Sequence, residues 1–148
     1  MTPQKYLDVQ FNTSIKKGFC KNAVLEPSPS AATAAVAEDA EQFIVMIIAK
    51  SGSRYWLTDR RILAEHENEI STLFLYGAVD RVHWMFKDWM QRAIATGDSA
   101  QIGRLKSEHF DRLEVELKND YPNVVLEGLD QSYHPLLSFL QFLSRHNA

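Results

Sequence analysis

The run from Tyr55 to Leu63 constrains the fold more than any other part of this chain. It reads Tyr-Trp-Leu, then a polar Thr-Asp-Arg-Arg step, then Ile-Leu. Two apolar runs joined by so short a polar step leave room only for a chain reversal, which is typical of a tight β-hairpin. The run therefore predicts two antiparallel strands, Arg54 to Thr58 and Arg61 to Glu65.

Two neighbouring stretches extend this hairpin into a longer meander. Phe43 to Ala49 is rich in β-branched residues and ends at a Ser-Gly-Ser turn signal. On the other side, a polar His-Glu-Asn-Glu reversal leads into an apolar run from Ile70 to Tyr76. Four successive strands on short turns predict an antiparallel sheet.

The next segment has two interpretations. Val82, Trp84 and Phe86 alternate with His83, Met85 and Lys87, which favours a fifth strand that passes into a helix near Asp88. Alternatively, a helix begins at Trp84, because Phe86, Trp89, Met90 and Ala93 also fit helical spacing. Asp98 and Ser99 are suited to cap a further short helix.

The last part of the chain predicts two strands and a helix. Leu113, Val115 and Leu117 alternate with charged residues, and a dense set of turn formers separates them from Val124 to Leu126. From Pro135 onward, leucines at three- and four-residue spacings are typical of an amphipathic helix.

The first 42 residues are harder to interpret. Leu7, Val9 and Phe11 alternate with polar residues as in a strand, whereas Leu7, Phe11 and Ile15 lie four apart as in a helix that stops at Gly18. Both interpretations stay open. The alanine-rich stretch Ala31 to Ala37 predicts a short helix, with Ser28 as its cap and Pro29 in its first turn.

This order of strands and helix resembles that of bacterial pleckstrin-homology-like domains. The resemblance lies in the hairpin from Tyr55 to Leu63, in the last hairpin (Leu113 to Leu117 and Val124 to Gly128) and in the closing helix, Leu136 to Leu140. It implies a mainly β fold with helices, a seven-stranded bent antiparallel sandwich or barrel capped by the C-terminal helix. The rival architecture, an open α+β sheet with helices on one face, would use the same strands.

The resemblance also divides the chain. Residues 43–148 would form the pleckstrin-homology-like domain, with a helical insertion at about residues 88–108. Residues 1–42 have no counterpart in the minimal fold and would form a partly helical N-terminal extension.

Composition excludes several classes of function. The net charge of −3 gives no general attraction to nucleic acid. A single cysteine, Cys20, cannot form an internal disulfide or a thiolate metal site, and the five histidines are not spaced as ligand pairs. We therefore expect no cofactor and no bound metal. Without a visible secretory signal, a cytoplasmic location is expected.

Two basic pairs flank predicted turns. Lys50 and Arg54 enclose the Ser-Gly-Ser turn, the place where phosphoinositide-binding pleckstrin-homology domains hold the headgroup. Trp56 stands where that pattern has a further basic residue, so the alternative is a pair of solvated strand-end charges. Arg60 and Arg61, in the next hairpin, are expected to be solvated turn residues.

The most unusual apolar group is formed by Trp84, Phe86, Trp89 and Met90. These side chains either fill the core beneath the insertion or present an aromatic surface to a partner. No nucleophile elbow, phosphate-binding glycine loop or paired-carboxylate motif is present, so no catalytic residue is assigned.

The expected function is a non-enzymatic binding or assembly module that contacts a protein partner or a second copy of itself. One alternative is peripheral binding to anionic lipid headgroups through Lys50 and Arg54. The other is a small ligand-binding domain or enzyme with a pocket between sheet and helices.

Overall fold

Helices packed with two antiparallel sheets make up the described part of the protein. The structure is a computed structural model that describes residues 1–84, 95, 97 and 112–148. The helices are α1 (Pro3–Lys16), α2 (Ala31–Val36) and α3 (Tyr133–His146). The strands are β1 (Ala23–Leu25), β2 (Phe43–Ile48), β3 (Arg54–Thr58), β4 (Arg61–His66), β5 (Glu69–Leu75), β6 (Val79–Trp84), β7 (Leu113–Leu117) and β8 (Val124–Leu126).

The strands divide between a sheet of five and a sheet of three. Within the described residues the first sheet has the order β1-β2-β3-β4-β5 and the second the order β6-β7-β8, and every pairing is antiparallel. Each predicted strand is present where the structure describes it, the fifth as far as Trp84, and the last helix follows as expected. The protein is thus mixed α and β, with a C-terminal helix, rather than mainly β.

Strands β3 and β4 form the hairpin that the run from Tyr55 to Leu63 predicts. Trp56 pairs with Leu63 and Leu57 with Ile62. The reversal is held by Thr58, whose Oγ1 accepts hydrogen bonds from the backbone N–H groups of Arg60 and Arg61, each at 3.1 Å. A short polar side chain therefore replaces the backbone bonds that so tight a turn cannot make.

One face of the first sheet, the α3 helix, the α1 helix and the second sheet enclose the main core. Leu57 and Ile62 of the hairpin point into it, and a bulge in β2 turns both Ile44 and Val45 inward. The fully buried residues of this core include Leu7, Phe11, Val45, Ile47, Leu57, Ile62, Leu113, Leu126, Phe139 and Leu140.

The N-terminal residues contribute to this core. The segment Pro3–Lys16 is a helix, and Leu7 and Phe11 are both 0% exposed. Their four-residue spacing, with Gly18 at φ +76° after the helix, confirms the helical interpretation, and the strand interpretation of this segment is wrong. Tyr6 stacks on Phe142 of α3 at 4.3 Å between ring centroids.

Strand β1 was not predicted. Ala23, Val24 and Leu25 pair with Ile47, Met46 and Val45, so they add a fifth strand beside β2. Residues expected to form an extension outside the domain therefore supply a core helix and a strand of the larger sheet.

The α2 helix begins at Ser30 rather than at Ser28. The Oγ of Ser30 accepts from the backbone N–H of Thr33 at 3.1 Å, which is the usual N-cap bond. The prediction that Ser28 caps this helix is wrong, because the chain becomes helical two residues later. The helix lies against the outer face of the larger sheet, where Trp56 and Leu63 are buried outside the main core.

The two sheets are joined at Gly128, which follows β8. Its carbonyl oxygen accepts from the backbone N–H of Lys50 at 3.0 Å, just after β2. A Cβ atom at residue 128 would lie 3.0 Å from that same nitrogen, and the backbone has φ +67°. Both facts require glycine here.

Candidate functional site

The structure places the predicted pair Lys50 and Arg54 at one end of the larger sheet. Both side chains are exposed, on either side of the β2–β3 turn. The Arg54 guanidinium does not stand alone, because its Nη1 lies 3.8 Å from Oε1 of Glu65 on the neighbouring strand. Sequence reasoning did not foresee this acidic neighbour.

A cleft of about 210 Å³ opens at this end of the sheet. It is lined by Ser30, Gly52, Arg54, Glu65, Glu67 and Asn68. One guanidinium faces two carboxylates there, so the local charge does not favour a phosphate or an anionic headgroup. Lipid binding at this turn remains a prediction without support from the charge balance.

The predicted aromatic group lies mostly outside the described residues. The backbone of Trp84 ends β6 and pairs with Leu113. Phe86, Trp89, Met90 and the expected insertion at about residues 88–108 fall outside the part of the chain that the structure describes.

The outer face of β4 carries a polar network that the sequence did not predict. Arg61 was expected to be solvated, and this is wrong, since its side chain is only 9% exposed. It donates from Nε and Nη2 to both carboxylate oxygens of Glu41, and from Nη2 to the carbonyl oxygen of Val36 at 2.9 Å. The Arg61 hydrogen bonds lower the pKa of Glu41 to about 2. The pair is therefore ionised at neutral pH.

Arg61, Leu63 and Glu65 alternate along β4, so the Glu65 side chain lies on the same face as that of Arg61. It is buried, and its carboxylate accepts from Nε1 of Trp56 at 3.2 Å and from Oγ of Ser30 at 2.7 Å. Arg61 and Glu65 thus hold the two ends of the segment that contains α2 (residues 30–41, hereafter the α2 segment). The network therefore serves to attach the α2 segment to the sheet, since Ser30, Val36 and Glu41 all bond to residues of β4.

The one sequence signal for this network is the run Glu38, Asp39, Glu41. Acids near the C-terminal end of a helix are unfavourable to its dipole, so cations from another part of the chain would stabilise them. Arg60 supplies one, with Nη1 at 3.2 Å from Oε2 of Glu38. Arg61 supplies the other.

The edges of the two sheets differ in how well they are covered. Strands β1 and β8 are only three residues long. The edge of β6 lies against α3: the carbonyl oxygen of Asp80 accepts from Ser144 Oγ at 2.6 Å, and that of Val79 from Asn147 Nδ2 at 3.0 Å. Strand β5 is seven residues long and, among the described residues, has a paired neighbour on one side only.

The metal-binding and nucleophilic side chains of the described residues are dispersed or buried. Among them there is no group of three or more His, Cys, Asp or Glu side chains placed to hold a metal ion. Cys20 is 2% exposed, and burial raises the pKa of its thiol, so the thiolate that nucleophilic chemistry needs is disfavoured. His83 Nε2 lies 2.9 Å from Glu116 Oε2 on the surface.

No helix among the described residues has both the length and the apolar character needed to cross a bilayer.

The chain matches no protein-family model, no curated protein and no solved structure.

Proposed function

We propose that this protein is a non-enzymatic association module of pleckstrin-homology-like fold that pairs with a second copy of itself through strand β5. The observation that carries the proposal is the outer edge of β5, which is the longest sheet edge in the described structure. An edge strand presents a row of unpaired backbone N–H and C=O groups, which is a template for another strand.

The composition of β5 favours pairing. Its sequence is Glu-Ile-Ser-Thr-Leu-Phe-Leu, with one charge and with neither lysine nor proline. Monomeric proteins often protect a sheet edge with charged residues, above all lysine, with proline or with bulges. Here a bulge lies at Leu73, because Thr72 pairs with Leu63 and Phe74 with Ile62. The regular part of the edge is therefore Glu69 to Thr72.

A two-fold axis at Ser71 makes this edge complementary to itself. Two antiparallel copies would place Ser71 opposite Ser71 and Ile70 opposite Thr72, with Glu69 beside the bulged Leu73 at each end. The two Glu69 carboxylates then lie at opposite ends of the pairing, so like charges do not face each other. Such an isologous contact closes as a dimer, because the β5 edges of both copies are used in it.

The pleckstrin-homology-like assignment has its own support. Strands β2 to β5 form a four-stranded meander, β6 to β8 form a three-stranded one, and an amphipathic helix follows. This is the order that the family resemblance implies, with β1 added at one edge. Members of that family are associated with protein contacts as well as with lipids.

Sedimentation velocity tests the proposal. We expect a monomer–dimer equilibrium between low micromolar and about 0.5 mM chain, since a single strand pairing buries little surface and binds weakly. Ser71→Lys should shift the protein to the monomer, because two ammonium groups would meet at the axis. Ser71 is exposed and no described contact depends on its hydroxyl, so the variant should fold.

The matched control is Thr13→Lys, which adds the same charge at an exposed position of α1. It should dimerise like the unsubstituted protein. An equimolar mixture of Ser71→Lys and Ser71→Glu should restore the dimer as a heterodimer. A strict monomer at 0.5 mM, or equal dimerisation of Ser71→Lys and Thr13→Lys, would contradict the proposal.

A further inference from the structure

A second cleft, away from both the β5 edge and the predicted basic pair, lies between β6 and α3. It has a volume of about 330 Å³ and is lined by Arg81, Val82, His83, Gln141, Ser144 and Arg145. This volume is at the lower end of the range for small-molecule sites.

Both walls of the cleft follow from regular geometry. Arg81 and His83 are two apart on β6, so their side chains leave the same face of the strand. Gln141, Ser144 and Arg145 are three and four apart on α3, which puts them on one side of the helix. The bond from Ser144 Oγ to the Asp80 carbonyl, at 2.6 Å, fixes helix and strand relative to each other.

The cleft is rich in cationic groups. Arg81 and Arg145 are exposed, and no carboxylate of the described residues lies within ion-pair distance of either guanidinium. His83 uses Nε2 toward Glu116 at 2.9 Å, which leaves Nδ1 for another partner. On the neighbouring strand β7, Glu116 lies opposite Arg81 and Glu114 lies opposite His83, but neither carboxylate lines the cleft.

The contrast with the 210 Å³ cleft decides where an anion would bind. That cleft sets one arginine against two glutamates, whereas the β6–α3 cleft sets two arginines and a histidine against none in its lining. Planar guanidinium groups match the geometry of a phosphate and can each donate two hydrogen bonds to it. The Gln141 amide adds a neutral donor of the kind that orients such a ligand.

We propose that the β6–α3 cleft binds a phosphate monoester, with Arg81 and Arg145 as its main ligands. The phosphate could belong to a soluble metabolite or to a lipid headgroup, since the chemistry that recognises it is the same. The proposal goes beyond self-association and does not depend on it, because the cleft and the β5 edge share no residue.

A nuclear magnetic resonance titration with inorganic phosphate tests the proposal. The labelled full chain is titrated at constant ionic strength, with sodium chloride replacing phosphate in the reference samples, so that screening is the same throughout. We expect saturable shifts of the amide signals of residues 81–83 and 141–145. Arg81→Gln and Arg145→Gln should each weaken binding by roughly tenfold or more, because each removes a charge-assisted hydrogen-bond donor.

The matched control is Arg54→Gln, which removes the same side chain from the sequence-predicted site. It should bind phosphate as the unsubstituted chain does, and unchanged amide spectra away from each substitution verify that all three variants fold. Loss of binding in Arg54→Gln, full binding in both cleft variants, or no saturable shift at all would overturn the proposal.

Two further arms separate the sources of phosphate. Glycerol phosphate in solution is compared with vesicles that contain phosphatidic acid, each against Arg81→Gln. If the protein binds glycerol phosphate and Arg81→Gln does not, the natural ligand is a soluble phosphate ester. If only the flotation with vesicles is lost in Arg81→Gln, and glycerol phosphate does not bind, the ligand is a lipid headgroup. Binding in both arms that is indifferent to Arg81 counts against the cleft.

Discussion

The guanidinium of Arg61 donates to both carboxylate oxygens of Glu41, with Nε to Oε2 at 3.0 Å and Nη2 to Oε1 at 2.8 Å. The two residues are 20 positions apart, and the contact attaches the chain before β2 to the face of β4. The Glu41 side chain is fully covered and that of Arg61 nearly so. An intact buried ion pair of this kind adds little to the stability of a protein. Removing one partner is costly, because the other charge is then buried without compensation.

Glu41→Gln should therefore destabilise the protein strongly. The substitution keeps the shape of the side chain but removes the hydrogen-bonded counter-charge of the buried guanidinium. Of the described carboxylates, only the half-exposed Glu38, at 3.9 Å, then remains near Arg61, and the free energy of unfolding should fall by about 3 kcal/mol. Urea unfolding at neutral pH measures the change. Glu38→Gln is the control, because Glu38 is half exposed (51%) and its ion pairs should contribute less than about 1 kcal/mol. Equal effects of the two substitutions would refute the assigned role of Glu41.

The same pair should make stability depend on pH. The folded pKa of Glu41 is about 2, against an ordinary value of 4.5. Because folding lowers the pKa, the contribution is complete above pH 4.5 and is lost as the pH falls from there through 2. Thermal unfolding midpoints across this window should show the difference between the unsubstituted protein and Glu41→Gln shrinking toward zero. A difference that stays constant with pH would contradict the low pKa.

Replacing Ser30 should destabilise the protein, whereas replacing Ser28 should not. Ser30 caps α2 and also donates to Glu65, so Ser30→Ala should lower the free energy of unfolding by about 1–2 kcal/mol. Ser28→Ala should have almost no effect, although the sequence favoured it as the cap. Hydrogen exchange of the amides of Ala31–Val36 provides a local readout and should accelerate only in Ser30→Ala. Faster exchange in Ser28→Ala would place the cap at the earlier serine.

Leu7 and Val9 test whether α1 belongs to the core. Leu7 is 0% exposed and Val9 is 44% exposed on the same helix. Leu7→Ala should cost about 3 kcal/mol through the cavity that it leaves. Val9→Ala should be neutral or slightly stabilising, because alanine has the higher helix propensity. Unfolding of the two variants in guanidinium chloride, followed by far-ultraviolet circular dichroism, measures the difference. Near-equal midpoints would mean that α1 is not part of the cooperative unit.

Local sequence patterns were sufficient to predict an element wherever the residues that stabilise it lie nearby in sequence. The β3–β4 hairpin was predictable because its turn and its pairs, Trp56 with Leu63 and Leu57 with Ile62, all fall within ten residues of chain. The spacing of leucines in α3 was equally informative. In both cases the residues that stabilise the element also belong to it.

Sequence patterns did not predict an element correctly where the residues that stabilise it are distant in sequence. The periodicity of α1 was compatible with a strand until α3 supplied the surface on which Leu7 and Phe11 are buried. Strand β1 has only three residues, too few for alternation to appear, and it exists because β2 offers an edge.

The outer-face network was missed for a related reason. Arg61 follows a tight turn, where arginine is normally solvated, and its burial depends on the α2 segment lying across β4. Glu65 was assigned to a strand without any partner for its carboxylate. Only the folded chain brings Ser30 and Trp56 to it, at 2.7 Å and 3.2 Å.

The stacking of Tyr6 on Phe142 has a consequence for how the protein is made. The two rings are in contact at 4.3 Å, yet nearly the whole described chain separates them in sequence. The β2–β5 meander can form from short loops as soon as it leaves the ribosome, whereas α1 has its main surface only after α3 has been synthesised. The contacts of the first helix with β1 and β2 can therefore form early, whereas its larger contact with α3, the Tyr6–Phe142 stack included, must wait for α3.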